Sequence, residues 1–118
     1  MSLKIGSLAE QRAREYLTLQ GLQWVESNYR CLMGELDLIM RDNDYLVFIE
    51  VRARTSNAFG GAMASVTHSK RQKLIKTASL YLMANKLYDK QPIRFDVLSL
   101  EGMPPRMSWI KNAFGADD

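Results

Sequence analysis

The chain has 118 residues, 47% of them hydrophobic and 25% charged, with a formal net charge of +3 at pH 7. These are globular values that suit one domain over residues 1–118 with a modest core and leave too little chain for a second. No apolar run nears the roughly 20 residues that span a bilayer, and the N-terminus lacks the apolar core of a secretory signal, so a cytoplasmic protein is expected. Cys31 is the only cysteine and His68 the only histidine. That excludes an intrachain disulfide and cysteine- or histidine-rich metal sites, and any metal must be held by oxygen, which favours Mg²⁺ or Mn²⁺.

In chain order, Ser7 and Glu10 have capping-box spacing, and Ala9, Ala13, Tyr16, Leu17 and Leu19 form an apolar stripe that stops before Gly21. The pattern predicts a first helix over about Ser7 to Gln20. Leu22 to Tyr29 reads as a first strand. Glu35 to Met40, the polar turn Arg41-Asp42-Asn43-Asp44, and Tyr45 to Arg52 read as a hairpin of two further strands. Thr55 to Ser65, with Gly60-Gly61, is expected to be a loop. Leu74, Ala78, Tyr81 and Leu82 mark a second helix from about Thr67 to Lys86. Ile93 to Leu98 is a fourth strand, and Pro104-Pro105 breaks the chain before a short strand near Ser108 to Lys111. The expected order is α-β-β-β-α-β-β.

The hairpin carries the chemistry, because it sets acids inside apolar strands. Side chains alternate between the faces of a strand. Leu36, Leu38 and Met40 are thus expected on one face of the first hairpin strand, and Glu35, Asp37 and Ile39 on the other. Val47, Ile49 and Val51 then share a face of the second strand, opposite to Phe48, Glu50 and Arg52. If Asn43-Asp44 is a two-residue loop, Asp42 lies opposite Tyr45, and counting back sets Asp37 opposite Glu50 and Glu35 opposite Arg52. Like charges so placed are destabilising, and a bound cation would recover the cost. The alternative is a solvated sheet edge on which Glu35 pairs with Arg52. Ile39 and Phe48 on the acidic face favour burial, as in interior strands with helices on both sides.

Charge is uneven along the chain. From Val51 through Tyr88 there is no acid, while Arg52, Arg54, Lys70, Arg71, Lys73, Lys76 and Lys86 all fall in that stretch. Lys70, Arg71 and Lys73 enter the first turn of the second helix, where the dipole disfavours cations and an anion would relieve them. A basic patch beside paired acids suits a polyanion, although a solvated basic face that keeps the protein soluble would have the same composition.

Gly34-Glu35-Leu36-Asp37-Leu38-Ile39, a short turn, and Phe48-Ile49-Glu50-Val51-Arg52 together resemble the core of the PD-(D/E)XK nuclease superfamily. There, an Asp on one strand precedes Glu-X-Lys on the next. The chain looks more closely like the bacterial YraN family, which is similar to archaeal Holliday junction resolvases. Gly6, Glu10, Ala13, Tyr16, Leu17 and Gly21 support this in the first helix, as do Phe59-Gly60-Gly61, Ser69-Lys70 and Arg94-Phe95-Asp96-Val97 further on.

The resemblance implies a restriction-endonuclease-like mixed β-sheet flanked by helices, with Asp37 and Glu50 as metal ligands and Glu10 contributing at the site. It also implies a two-fold dimer, if the junction analogy holds. Where the superfamily has lysine, this chain has Arg52, which stays protonated and cannot accept a proton but can steady a charged transition state. The expected activity is metal-dependent cleavage of DNA, including branched DNA, with Arg54, Lys70, Arg71 and Lys73 contacting phosphates. The alternatives are a nucleic-acid-binding module that keeps the fold without cutting, and a scaffold whose charged face meets a protein.

Overall fold

The computed structural model describes residues 5–54 and 61–115. Helix α1 spans Ile5–Leu19 and leads to strands β1 (Gln23–Cys31), β2 (Gly34–Asp42) and β3 (Tyr45–Arg54). A one-turn helix α2 (Gly61–Ser65) and a long helix α3 (His68–Ala84) follow, and strands β4 (Ile93–Glu101) and β5 (Arg106–Phe114) close the chain. The strands form one open sheet in the order β1-β2-β3-β4-β5. Only β3 and β4 run parallel; the other neighbours are antiparallel. A parallel pair needs a long crossover, and α2 and α3 supply it.

Each face of the sheet is closed by one helix. On one side Ala9, Ala13 and Leu17 of α1, spaced by four so that they share a stripe, pack over Leu38, Met40, Val47, Ile49, Leu98 and Leu100. On the other side Leu74, Ala78, Tyr81 and Leu82 of α3 cover Leu36, Ile39, Leu46, Phe48, Phe95 and Val97. Burial on both faces is why β3 carries the unbroken apolar run Leu46-Val47-Phe48-Ile49. The sequence and the fold thus agree on a mixed α/β architecture, on the α3 stripe and on the two-residue hairpin loop, with Asp42 opposite Tyr45. Asn43, at the first loop position, takes φ +55°, a left-handed conformation that asparagine tolerates.

Four expectations are corrected. The first helix begins at Ile5, so Ser7 lies inside it and the capping-box reading of Glu10 does not hold. Leu19 is 85% exposed rather than part of the buried stripe, because two residues beyond Leu17 it lies about 200° around the helix axis; the helix ends beyond it, where the Leu22 amide bonds back to the Leu17 carbonyl and Gly21 takes φ +104°. Of the expected loop Thr55 to Ser65, residues 55–60 lie outside the described residues, while Gly61–Ser65 is helical. Finally, Leu36 does not share a face with Leu38 and Met40. It packs with Ile39 and Phe48 under α3. Pairing of β2 with β3 ends at Leu38↔Ile49, and in β1 Asn28 breaks the strand conformation with φ +55°. The alternation of β2 slips between these two irregularities, at Asp37.

Candidate functional site

That slip builds the site. Beyond Leu38 and Ile49 the two strands part, and the Asp37 carboxylate enters the gap, where its Oδ2 accepts the Val51 amide at 2.9 Å. The Leu46 amide bonds toward the β4 side, to the Pro92 carbonyl. By alternation the Val51 amide points toward β2, so the Asp37 side chain replaces a ladder bond of the sheet. Glu50, on the neighbouring strand, is 5% exposed. Both carboxyl groups line one cleft of about 350 Å³, whose opposite wall is the first turns of α3, with Lys70, Lys73 and Thr77. Gly34 forms the near corner. Its φ is +152°, and a Cβ there would sit 3.0 Å from the Thr77 hydroxyl, so glycine lets α3 approach β2 closely.

Asp37, Glu50 and Glu10 interact across the sheet. Burial first, then the negative charge of Glu50, pushes the Asp37 carboxyl up to about 8; the Val51 amide opposes this, while the Glu10 charge and a hydrogen bond with Glu50 add to it. The Glu10 carboxyl is also raised, chiefly by burial and by the charges of Glu35 and Glu50, against hydrogen bonds with Asp37 and Asn28. Glu10 therefore reaches the site from α1, with Asn28 as a partner that the sequence reading did not single out. The signal in the sequence is only an asparagine inside an expected strand, a residue type that tolerates the left-handed conformation it takes here.

Glu50 is matched by cations of the protein itself. Its Oε2 lies 3.1 Å from Arg52 Nη2 and 3.1 Å from Lys70 Nζ. Glu35 instead pairs with Arg30, so neither the register count that opposed Glu35 to Arg52 nor the edge pairing of those residues describes the site. The repulsion expected between Asp37 and Glu50 is thus eased internally, by the raised proton affinity of Asp37 and by two cations beside Glu50.

The four basic residues expected at phosphates separate into two pairs. Lys70 and Lys73 face the cleft. Arg71 turns away, its Nε donating to the Val66 carbonyl at 3.0 Å and its guanidinium lying 5.8 Å from the centre of the Phe114 ring. Arg54 donates to the Gly61 carbonyl, bracing the chain where α2 begins. A second polar group, without a role in the sequence reading beyond its place in the family pattern, lies elsewhere. Asp96 is buried at a bulge between β4 and β5, where it accepts from Arg94, Trp109 Nε1 and the Asn112 amide, and Arg94 also reaches Asp42 at 3.0 Å. Every named partner there is protein, so this knot reads as structure.

Among the described residues, no three His, Cys, Asp or Glu side chains are gathered as a ready metal cluster. The donor chemistry still suits a hard cation. Two acidic side chains from adjacent strands meet in a cleft, the Asp37 carboxyl raised by burial and by the Glu50 charge, with Glu10 coupled to it from α1. Mg²⁺ is usually held by one or two carboxylates, with waters and phosphate oxygens completing the set.

Fold and cleft together define a small mixed α/β protein whose open five-stranded sheet presents an acidic pair to a basic helix terminus. The chain belongs to the uncharacterised protein family UPF0102, whose model matches residues 9–100. It is 51% identical over 116 residues to a UPF0102 protein of Legionella pneumophila (strain Corby), covering 98% of both chains. To UPF0102 proteins of Alkalilimnicola ehrlichii and Pseudomonas aeruginosa (strain LESB58) it is 45% identical, over 97% and 94% of this chain and 89% and 92% of those proteins. The resemblance read from the sequence holds at the level of the family. No helix among the described residues is long and apolar enough to cross a membrane.

Proposed function

We propose that this protein is a metal-dependent endonuclease acting on DNA, branched DNA included, on a restriction-endonuclease-like fold. The observation that carries the reading is the meeting of Asp37 and Glu50, from adjacent strands, in one cleft walled by Lys70 and Lys73. Asp37 and Glu50 would hold Mg²⁺ or Mn²⁺, which when bound supplies Lewis-acid polarisation of a phosphate oxygen and offsets charge on the displaced one. Glu10, coupled electrostatically to Asp37 from α1, contributes at the site. Arg52, fixed beside Glu50, offers charged hydrogen bonds to a pentavalent phosphorus centre and no proton acceptance. Lys70 and Lys73 bring the DNA backbone to the acids by neutralising phosphates. A cytoplasmic site of action and, for paired cuts at a junction, a two-fold dimer go with this reading.

One observation favours a second reading, a module that binds nucleic acid without cutting: Glu50 already holds two protein cations, one of them the arginine that stands in the lysine position. The deciding experiment incubates the pure protein with labelled duplex, single-stranded and four-way-junction DNA in Mg²⁺, Mn²⁺ or EDTA. Metal-dependent cleavage that disappears in Asp37→Asn supports the enzyme. Salt-sensitive binding without cleavage in any metal supports the module, and neither activity would remove both.

A further inference from the structure

We propose that Lys70 is the resident counter-ion of Glu50, a side chain that holds the metal position until a divalent cation displaces it into the cleft. The inference rests on the metal-binding role of Asp37 and Glu50 proposed above. Glu50 Oε2 is shared by two cations at the same distance, 3.1 Å, but the two are not equivalent. Arg52 stands two residues along the same strand with its side chain 24% exposed, fixed by the pleat beside Glu50. Lys70 comes from the opposite wall, 41% exposed, on a flexible four-carbon stem at the cleft.

An ion entering by the cleft therefore meets the Lys70 ammonium first, and cannot share the same carboxylate oxygen with it without like-charge repulsion at a few ångströms. Lys70 has somewhere to go. Its backbone is fixed by the Thr67 cap, whose hydroxyl accepts the Lys70 amide at 3.2 Å, so only the side chain need swing. It then joins Lys73 on the cleft wall, where a phosphate would be held. The ion pair thus keeps the buried Glu50 compensated in the metal-free protein, and metal entry converts it into a free positive charge beside the substrate position. Lys70 is in this sense a positioning residue acting through Glu50.

The test is a Mn²⁺ titration, read by the EPR signal of free ion, of the parent protein and of Lys70→Met, Lys70→Arg, Lys73→Met and the double variant Lys70→Met/Glu50→Gln, each checked for folding by circular dichroism. Removing the competitor should tighten Mn²⁺ binding by about tenfold or more. Lys70→Arg should stay near the parent because it keeps the charge. Lys73→Met removes the same charge from the same cleft without touching Glu50, and should change affinity by less than about threefold. The double variant should lose the gain. Binding by Lys70→Met no tighter than by a parent that does bind Mn²⁺, or an equal gain in Lys73→Met, overturns the counter-ion role and leaves the metal site standing. No Mn²⁺ uptake by any of the proteins overturns both.

Discussion

Asp37 Oδ2 accepts the backbone amide of Val51 at 2.9 Å, in the place where β2 and β3 would otherwise share a sheet bond. A carboxyl group is thereby fixed inside a sheet at the point where the strands separate. The sheet stays intact on the other side of β3, where pairing with β4 runs through to Arg54↔Glu101. The cost falls on ionisation: burial and the charge of Glu50 hold the Asp37 proton to about pH 8.

This gives a pH signature in stability. An ordinary Asp titrates near 3.8, whereas Asp37 in the folded protein titrates near 8. Between those values the folded state carries a proton that the unfolded state has released, so stability falls as pH rises, by as much as ~1.4 kcal/mol per unit, and levels off above pH 8. The raised carboxyl of Glu10 acts in the same direction. Urea unfolding from pH 4 to 9 should show the decline, and Asp37→Asn should flatten it, since the amide still accepts from Val51 but never ionises. A variant with the parent's slope would assign the pH dependence to other groups.

Cleavage, if the parent cuts, should vanish in both Asp37→Asn and Glu50→Gln while DNA binding is kept or slightly strengthened. The amides preserve shape, remove the charge that would hold Mg²⁺, and relieve repulsion toward phosphates. Arg52→Lys should preserve or raise the rate, because lysine can accept a proton where arginine cannot. Cutting that persists in Asp37→Asn, or in EDTA, points to a contaminating nuclease.

The basic residues should separate by experiment as they do in space. Lys70→Ala and Lys73→Ala should each weaken duplex binding and reduce the slope of log affinity against log salt by up to about one unit. Arg71→Ala should change that slope little and instead lower stability by about 1 kcal/mol, through loss of its bond to Val66 and its contact with Phe114. Fluorescence anisotropy across a salt series, paired with urea unfolding, distinguishes the two effects. An Arg71 variant that unfolds like the parent but loses affinity would contradict the placement of its side chain.

Gly34→Ala should destabilise the protein by about 1 kcal/mol or more, from the +152° backbone angle and the crowding of Thr77. Because Gly34 sets the spacing between β2 and α3, it should also weaken Mn²⁺ binding at the cleft. Unchanged melting and unchanged metal affinity would mean that the helix yields freely at this contact.

Arg94→Met should cost about 3 to 5 kcal/mol, because it leaves Asp96 buried without its cation. The double change Arg94→Met/Asp96→Leu should recover much of that loss. Equilibrium unfolding of the single and double variants measures the coupling, and an additive result would remove the ion pair as the source.

The elements of this fold were legible because they follow from periodicity. Leu74, Ala78, Tyr81 and Leu82 recur at helical spacing, and two apolar strands flank a polar turn, so burial dictates both the helix face and the hairpin register. The same count brought Asp37 and Glu50 to one end of the hairpin. Counting along strands assumes unbroken alternation, however, and that failed at Asp37, where the strands part and Leu36 changes sides. Periodicity carries no information about such a break. Nor could it pair Lys70 with Glu50, which are 20 positions apart in sequence and joined only because α3 folds back over the sheet, or turn Arg71 away from Lys70, its neighbour in the chain. The sequence by itself determined which residue types were available and the local faces they occupy. The tertiary structure decided which charges meet, because ion pairing and proton uptake depend on distances of a few ångströms in a buried setting, and packing between elements alone sets those distances.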